Sequence, residues 1–186
     1  MNSVLQERAK IYDHIYGSQS NCTWLTNASH KDSEKCCIAK DTIQDTGEAL
    51  LAHRSTGFHG DVRQRYIEYY GVLQAVYMQQ DSIFTLYKLF GPQANLDFSL
   101  YPAWSKLRDL RNDTVGHPVG KLKRLNRSAI SYGRVNYQYW PSEDLSTLKS
   151  TDVNLARELD NYEQEAATIL KLIVSEMSNS CSLRHV

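Results

Sequence analysis

The residues best suited to chemistry lie in one short stretch, Arg111-Asn112-Asp113-Thr114-Val115-Gly116-His117-Pro118. A guanidinium can hold two phosphoryl oxygens at once and stabilise charge that develops on a pentavalent phosphorus. An imidazole titrates near pH 6.5 and can move protons to and from sugar and leaving oxygens at neutral pH. Together they form a pair for phosphodiester chemistry that requires no metal. A continuous helix would separate positions 111 and 117 by about 240°. Gly116 offers a left-handed helix end, and a residue before proline is pushed out of the helical region. The expectation is that His117 folds back toward the Arg111 face from a fixed turn. The structural alternative has Arg111 paired with a helix-face acid and His117 capping the helix C-terminus.

The elements that position this stretch follow from periodicity. Apolar residues 4–16 predict a first helix, capped by Ser3 and stopped by Gly17. The Ser/Asn-rich segment 18–40 reads as a loop with room for a short turn of helix, and a second helix is expected over 41–54. Val62, Tyr66, Tyr69, Leu73, Val76, Gln80, Ile83, Tyr87 and Phe90 recur at alternating spacings of four and three, which predicts a helix over 61–90, about 45 Å long. A second stripe, Ile67, Tyr70, Tyr77 and Phe84, suggests burial on more than one side. Gly91-Pro92 ends it. A shorter helix over 101–114 docks through Trp104, Leu107 and Leu110. A second long helix is expected over 152–177, on the seam Leu155, Leu159, Tyr162, Ala166, Ile169, Ile173 and Met177. Between them, 129–140 alternates with a slip at Gly133-Arg134, as a hairpin turn or bulge would give. The predicted fold is mainly α: a helical bundle with a small β-hairpin insertion, read as an N-terminal region 1–40 and a helical domain 41–186 within one globular unit.

The Arg111-Asn112…His117 pattern, at the end of a helix beside a long one, resembles the R-x(4–6)-H motif of the HEPN superfamily, whose core is a four- or five-helix bundle. The resemblance covers the motif and, by pattern, the helices from about 61 to 177. It implies a HEPN-like fold and a metal-independent endoribonuclease, with Arg111 and His117 as the catalytic pair and Asn112 as polar companion. It also implies RNA as substrate, a homodimer with a composite cleft, a role as toxin or antiviral defence effector, and an antitoxin or regulatory protein as partner. The chain departs from one toxin branch, which has a tyrosine two residues after the histidine where Val119 stands here. The alternative class is a non-catalytic helical module that binds nucleotide, RNA or a protein partner.

Composition bears on the same question. The 186 residues carry 21 Lys+Arg against 21 Asp+Glu, with 41% hydrophobic side chains, enough for one core without disulfide or metal staples. The zero total hides segregation. Residues 106–134 hold eight basic and two acidic side chains, a local charge of +6, flanked by segments of −2 and −4. Lys106 is among the eight, and Arg108, Lys121, Lys123, Arg124, Arg127 and Arg134 are the candidate RNA contacts. Tyr132, Tyr137, Tyr139 and Trp140 could stack unpaired bases, or simply bury one strand face. Cys22, His30, Cys36 and Cys37 lack the spacing of a zinc site, so reduced thiols are expected and no metal or cofactor is called for. The N-terminus lacks the pattern of a secretory signal and no window is apolar enough for a transmembrane helix, so a cytoplasmic location without membrane contact is expected.

Overall fold

The computed structural model describes residues 3–17, 28–92, 95–116, 123–125, 130, 133–141 and 146–182, of which 123–125 and 180–182 by backbone alone. The chain is mainly helical. Helix α1 is Ser3–Tyr16, α2 His30–Thr56, α3 Val62–Phe90, α4 Pro102–Arg111 and α5 Leu155–Ser182; strands β1 Lys123–Leu125, β2 Arg134–Tyr139 and β3 Lys149–Asn154 complete the order among the described residues. A single 3-10 turn, Phe98–Leu100, leads into α4, and a π-turn, Asn112–Gly116, leaves it.

α3 is the central element. It packs against α2, α4 and α5, while α1 lies on α5 and α2. Its predicted seam is buried from Tyr69 to Tyr87, with Tyr69, Leu73, Gln80 and Ile83 fully enclosed. Gln80, the one polar residue of the seam, donates from Nε2 to the Trp104 carbonyl at 2.8 Å and so ties α3 to α4. The expected second stripe is not what buries the other side: Ile67 is 70% exposed and Tyr70 42%. Val72, Ala75, Gln79, Ser82 and Leu86 are buried instead. That stripe is rich in small and polar residues, and its Gln79 is paired: it donates to Thr46 Oγ1 of α2 at 3.2 Å and accepts from Tyr162 Oη of α5 at 3.0 Å.

Three boundaries differ from expectation. α2 begins at His30, eleven residues before the expected start, so the loop reading of 18–40 fails over 30–40 and the division drawn at residue 40 falls inside a helix. Ser29 caps it by accepting from the Asp32 amide at 3.1 Å. The core face of this extension is Cys36, Ala39 and Lys40, which carries little apolar signal. Gly47 serves a close approach here, since a Cβ would stand 2.6 Å from Leu5 Cδ2. α5 starts at Leu155, not at 152, because Lys149–Asn154 is a strand and Asn154 Oδ1 accepts from the Arg157 amide at 3.1 Å. Ser3, expected as a cap, opens α1 and gives its hydroxyl to Glu163 at 2.8 Å.

The β element is larger than a hairpin insertion. β2 pairs antiparallel with both β1 and β3, in the order β1-β2-β3, with Lys123 opposite Tyr139 and Arg134 opposite Asn154. The period slip at Gly133-Arg134 is not the turn that joins these strands. Gly133 has φ +79° at the entry to β2, its carbonyl accepts from the Ala156 amide at 3.1 Å, and a Cβ there would lie 2.9 Å from Ala156 Cβ. Left-handed backbone and close packing on α5 both require glycine. Among the described residues no helix is long and apolar enough to cross a membrane.

Candidate phosphoryl-transfer site

The frame of the site is α4, held at both ends. Tyr101, before its first turn, offers no side-chain cap, so Glu165 of α5 supplies one: its two oxygens accept from the Ala103 and Trp104 amides at 3.0 and 2.7 Å. That satisfies two of the orphan donors of a helix start. Trp104, Leu107 and Leu110 then bury the apolar stripe as expected, each gaining roughly 1.5–3 kcal/mol. At the far end Thr114 Oγ1 donates to the Leu110 carbonyl at 2.7 Å and meets Tyr69 Oη of α3 at 2.8 Å, in a fully buried contact. Burial drives the Tyr69 hydroxyl well above its ordinary titration range, so it stays protonated and remains a hydrogen-bond partner.

The helix does not close on a left-handed glycine. Gly116 lacks the positive φ of Gly57 and Gly133, and the last five residues widen into a π-turn. In a π-turn residues five apart stack, which places Gly116 against Arg111. The Arg111 guanidinium lies over that glycine: a Cβ on Gly116 would stand 2.7 Å from Nη1. Glycine is needed here for room, and the arginine is directed toward the residue that immediately precedes His117. His117 itself lies outside the described residues, as do Lys121 and Arg127.

Arg111 is fixed by neutral groups. Nη2 donates to Gln74 Oε1 and Nη1 to Asn112 Oδ1, both at 3.2 Å, and the guanidinium carbon sits 4.2 Å from the centre of the Tyr77 ring. Nε is buried and has no hydrogen-bond partner among the described residues. No ion pair joins Arg111 to a carboxylate among the described residues. The alternative in which Arg111 pairs with a helix-face acid is not what the chain does. The amide of Asn112 closes α4 and its side chain accepts from the guanidinium.

The basic residues do not all join this site. Arg108 rests on the same Tyr77 ring at 4.5 Å and pairs with Asp81 at 2.9 Å. Lys106 pairs with Glu158 at 2.7 Å. Lys123 and Arg124 are placed by backbone on β1, opposite Tyr139 and Gln138, whereas Arg134 is exposed at the other end of β2, about 17 Å away along the strand. Tyr137 packs against the core and its ring lies 6.2 Å from that of Tyr139; Tyr132 is outside the described residues. Of the residues weighed for zinc, Cys36 is buried, Cys37 Sγ meets Tyr16 Oη at 3.2 Å, His30 pairs with Glu34, and Cys22 is not described.

Gln74, Tyr77, the Tyr69–Thr114 pair and Glu165 escape sequence reasoning as parts of the site. Tyr77 and Tyr69 read as core from their spacing, and Gln74 and Glu165 carry no signal beyond lying on long helices. Comparison with known proteins returns no match: no family model, no curated protein and no solved structure is similar to the chain.

Proposed function

We propose that the chain is a HEPN-type, metal-independent endoribonuclease acting as a homodimer, in the manner of a toxin or defence effector held by an antitoxin or regulatory protein. The observation that carries this reading is the Arg111 guanidinium, oriented by Gln74 and Asn112, free of any carboxylate partner among the described residues and lying against Gly116, the residue before His117 in the sequence. In this mechanism the RNA 2′-oxygen attacks the adjacent phosphorus while His117 takes its proton. Arg111 binds the non-bridging oxygens as their charge grows. The P–O5′ bond breaks and His117 returns the proton to the leaving oxygen, giving a 2′,3′-cyclic phosphate and a 5′-hydroxyl. Asn112 keeps the guanidinium in place. Arg108, Lys121, Lys123, Arg124, Arg127 and Arg134 are the proposed contacts along the RNA backbone.

Homodimerisation finds support on α3. Ile67, Tyr70 and Met78 are exposed and share one helical stripe with Gln74, the partner of Arg111. A second copy seated on that stripe would border the site. The test is incubation with RNA in EDTA: cleavage is expected with the unaltered chain and lost in His117→Ala and Arg111→Ala, whereas a requirement for a divalent ion, or turnover retained in His117→Ala, would overturn the mechanism.

A second reading is favoured by the ion pairs Lys106–Glu158 and Arg108–Asp81, which neutralise part of the basic segment. It is a non-catalytic module that binds nucleotide, RNA or protein, with salt-dependent affinity unchanged in His117→Ala and no turnover.

A further inference from the structure

A cavity of about 610 Å³ opens at the end of the bundle where the C-terminus of α2, the 57–61 connection, the first turn of α3, the entry to β2 and the first turns of α5 meet. Its size is that of a small-molecule site. It takes no part in the Arg111 chemistry: Arg65, at its wall, precedes Gln74 on α3 by nine residues, roughly 13 Å along the axis.

The walls are fixed by the chain itself. Arg65 donates to the carbonyls of His59, Gly60 and Ile130 at 2.6, 2.8 and 2.8 Å. Arg54 pairs with Asp160 at 2.9 Å and with Glu163, and donates to the Leu159 carbonyl at 3.1 Å. Both guanidiniums are thus committed, Arg54 to two carboxylates and a carbonyl and Arg65 to three carbonyls. Burial lowers the affinity of His53 for a proton, so its imidazole is neutral at pH 7. Neither guanidinium is free to select an anion, because the hydrogen bonds of each are taken by the chain.

What it offers is an aromatic corner and a polar edge. The His53 and Phe58 rings meet edge to face, 4.7 Å between centroids and 66° between planes. Leu155 and Leu159 add apolar wall, and Asp160 is exposed, with only Oδ1 engaged by Arg54. Gly60 has neither a positive φ nor any atom within 4 Å of the position a Cβ would take. Neither conformation nor packing requires glycine there, but a side chain would project into open space beside the cavity.

We infer that this cavity binds a neutral, planar heteroaromatic ring of nucleobase type, with its faces against the His53–Phe58 corner and an amino edge donating to Asp160. The ring could come from a free nucleoside or from a base of an RNA strand. The inference does not depend on the ribonuclease reading, since none of its residues touches Arg111.

The test is titration of the full chain with adenosine, guanosine, cytidine and uridine, followed by amide chemical shifts, with inorganic phosphate and indole as controls. Saturable binding of at least one nucleoside below about 1 mM is expected. Gly60→Leu, which fills the space, and Asp160→Asn, which leaves Glu163 to hold Arg54, should each weaken it tenfold or more, while Arg111→Ala leaves it unchanged. Displacement by a tetraribonucleotide assigns the site to RNA bases; no displacement assigns it to free nucleosides. The inference is overturned if no nucleoside binds, if phosphate alone shifts the same residues, if indole binds as well as the nucleosides, or if both variants bind as the unaltered chain does.

Discussion

At Gly116 a single missing methyl group decides where an arginine can lie. A side chain there would meet Arg111 Nη1, the far end of a flexible side chain, so the fold can absorb Gly116→Val by moving the guanidinium. The expected result is a thermal midpoint close to that of the unaltered chain and RNA cleavage reduced by about 10²-fold, the scale of a misplacement near 1 Å. Equal activity in the two proteins would remove the role given to this contact. His53 carries a separate expectation. Burial lowers its pKa in the folded chain, with Glu68 opposing, so the unfolded chain takes up the proton first as pH falls below about 6.5. Its stabilising contribution is therefore complete above that value and lost as pH falls through the lower folded pKa. Urea midpoints at pH 7.5 and 5.5 should differ less in His53→Gln than in the unaltered chain.

Among the elements, α4 depends on its anchors. Thr114→Val leaves Tyr69 Oη buried without its partner, which should cost about 1–3 kcal/mol in denaturant unfolding and loosen the π-turn that directs Arg111. A loss of activity larger than the loss of folded protein is expected, because the turn carries the site. This is also the scale at which the sequence is most and least readable. The seams of α3 and α5 were legible because Tyr69, Leu73 and Ile83, or Leu155, Leu159 and Ile169, are large apolar residues at helical spacing. The first third of α2 was not, because Cys36, Ala39 and Lys40 bury small or amphipathic side chains. The π-turn was hidden as well: a glycine before His-Pro suggests a left-handed stop, and only packing of Arg111 onto Gly116 shows why glycine stands there. Arg111 and Asn112 were legible from residue type, but their orienting partner Gln74 lies on another helix, a pairing that only tertiary structure creates.

For the whole molecule, zero net charge conceals a basic central segment whose members diverge in space. Lys106 and Arg108 pair with Glu158 and Asp81, and Arg134 stands apart from Lys123 and Arg124, while Arg111 keeps neutral partners among the described residues. In the proposed dimer, pairing through the Ile67, Tyr70 and Met78 stripe would bring two copies of Arg111 to one interface. Ile67→Glu should halve the mass measured by sedimentation and lower cleavage at a given chain concentration, without lowering the thermal midpoint of the monomer, since Ile67 is exposed. A monomer in the unaltered chain at micromolar concentration would contradict the dimer. The central claim, that Arg111 and His117 direct the RNA 2′-oxygen onto its own phosphate, is tested most directly by the ends of the fragments made in EDTA. Fragments ending in 2′,3′-cyclic phosphate and beginning with 5′-hydroxyl, absent when the 2′-hydroxyl at the cleaved position is replaced by hydrogen, are the expected result; 3′-hydroxyl and 5′-phosphate ends, or cleavage that persists in the 2′-deoxy substrate, would contradict it.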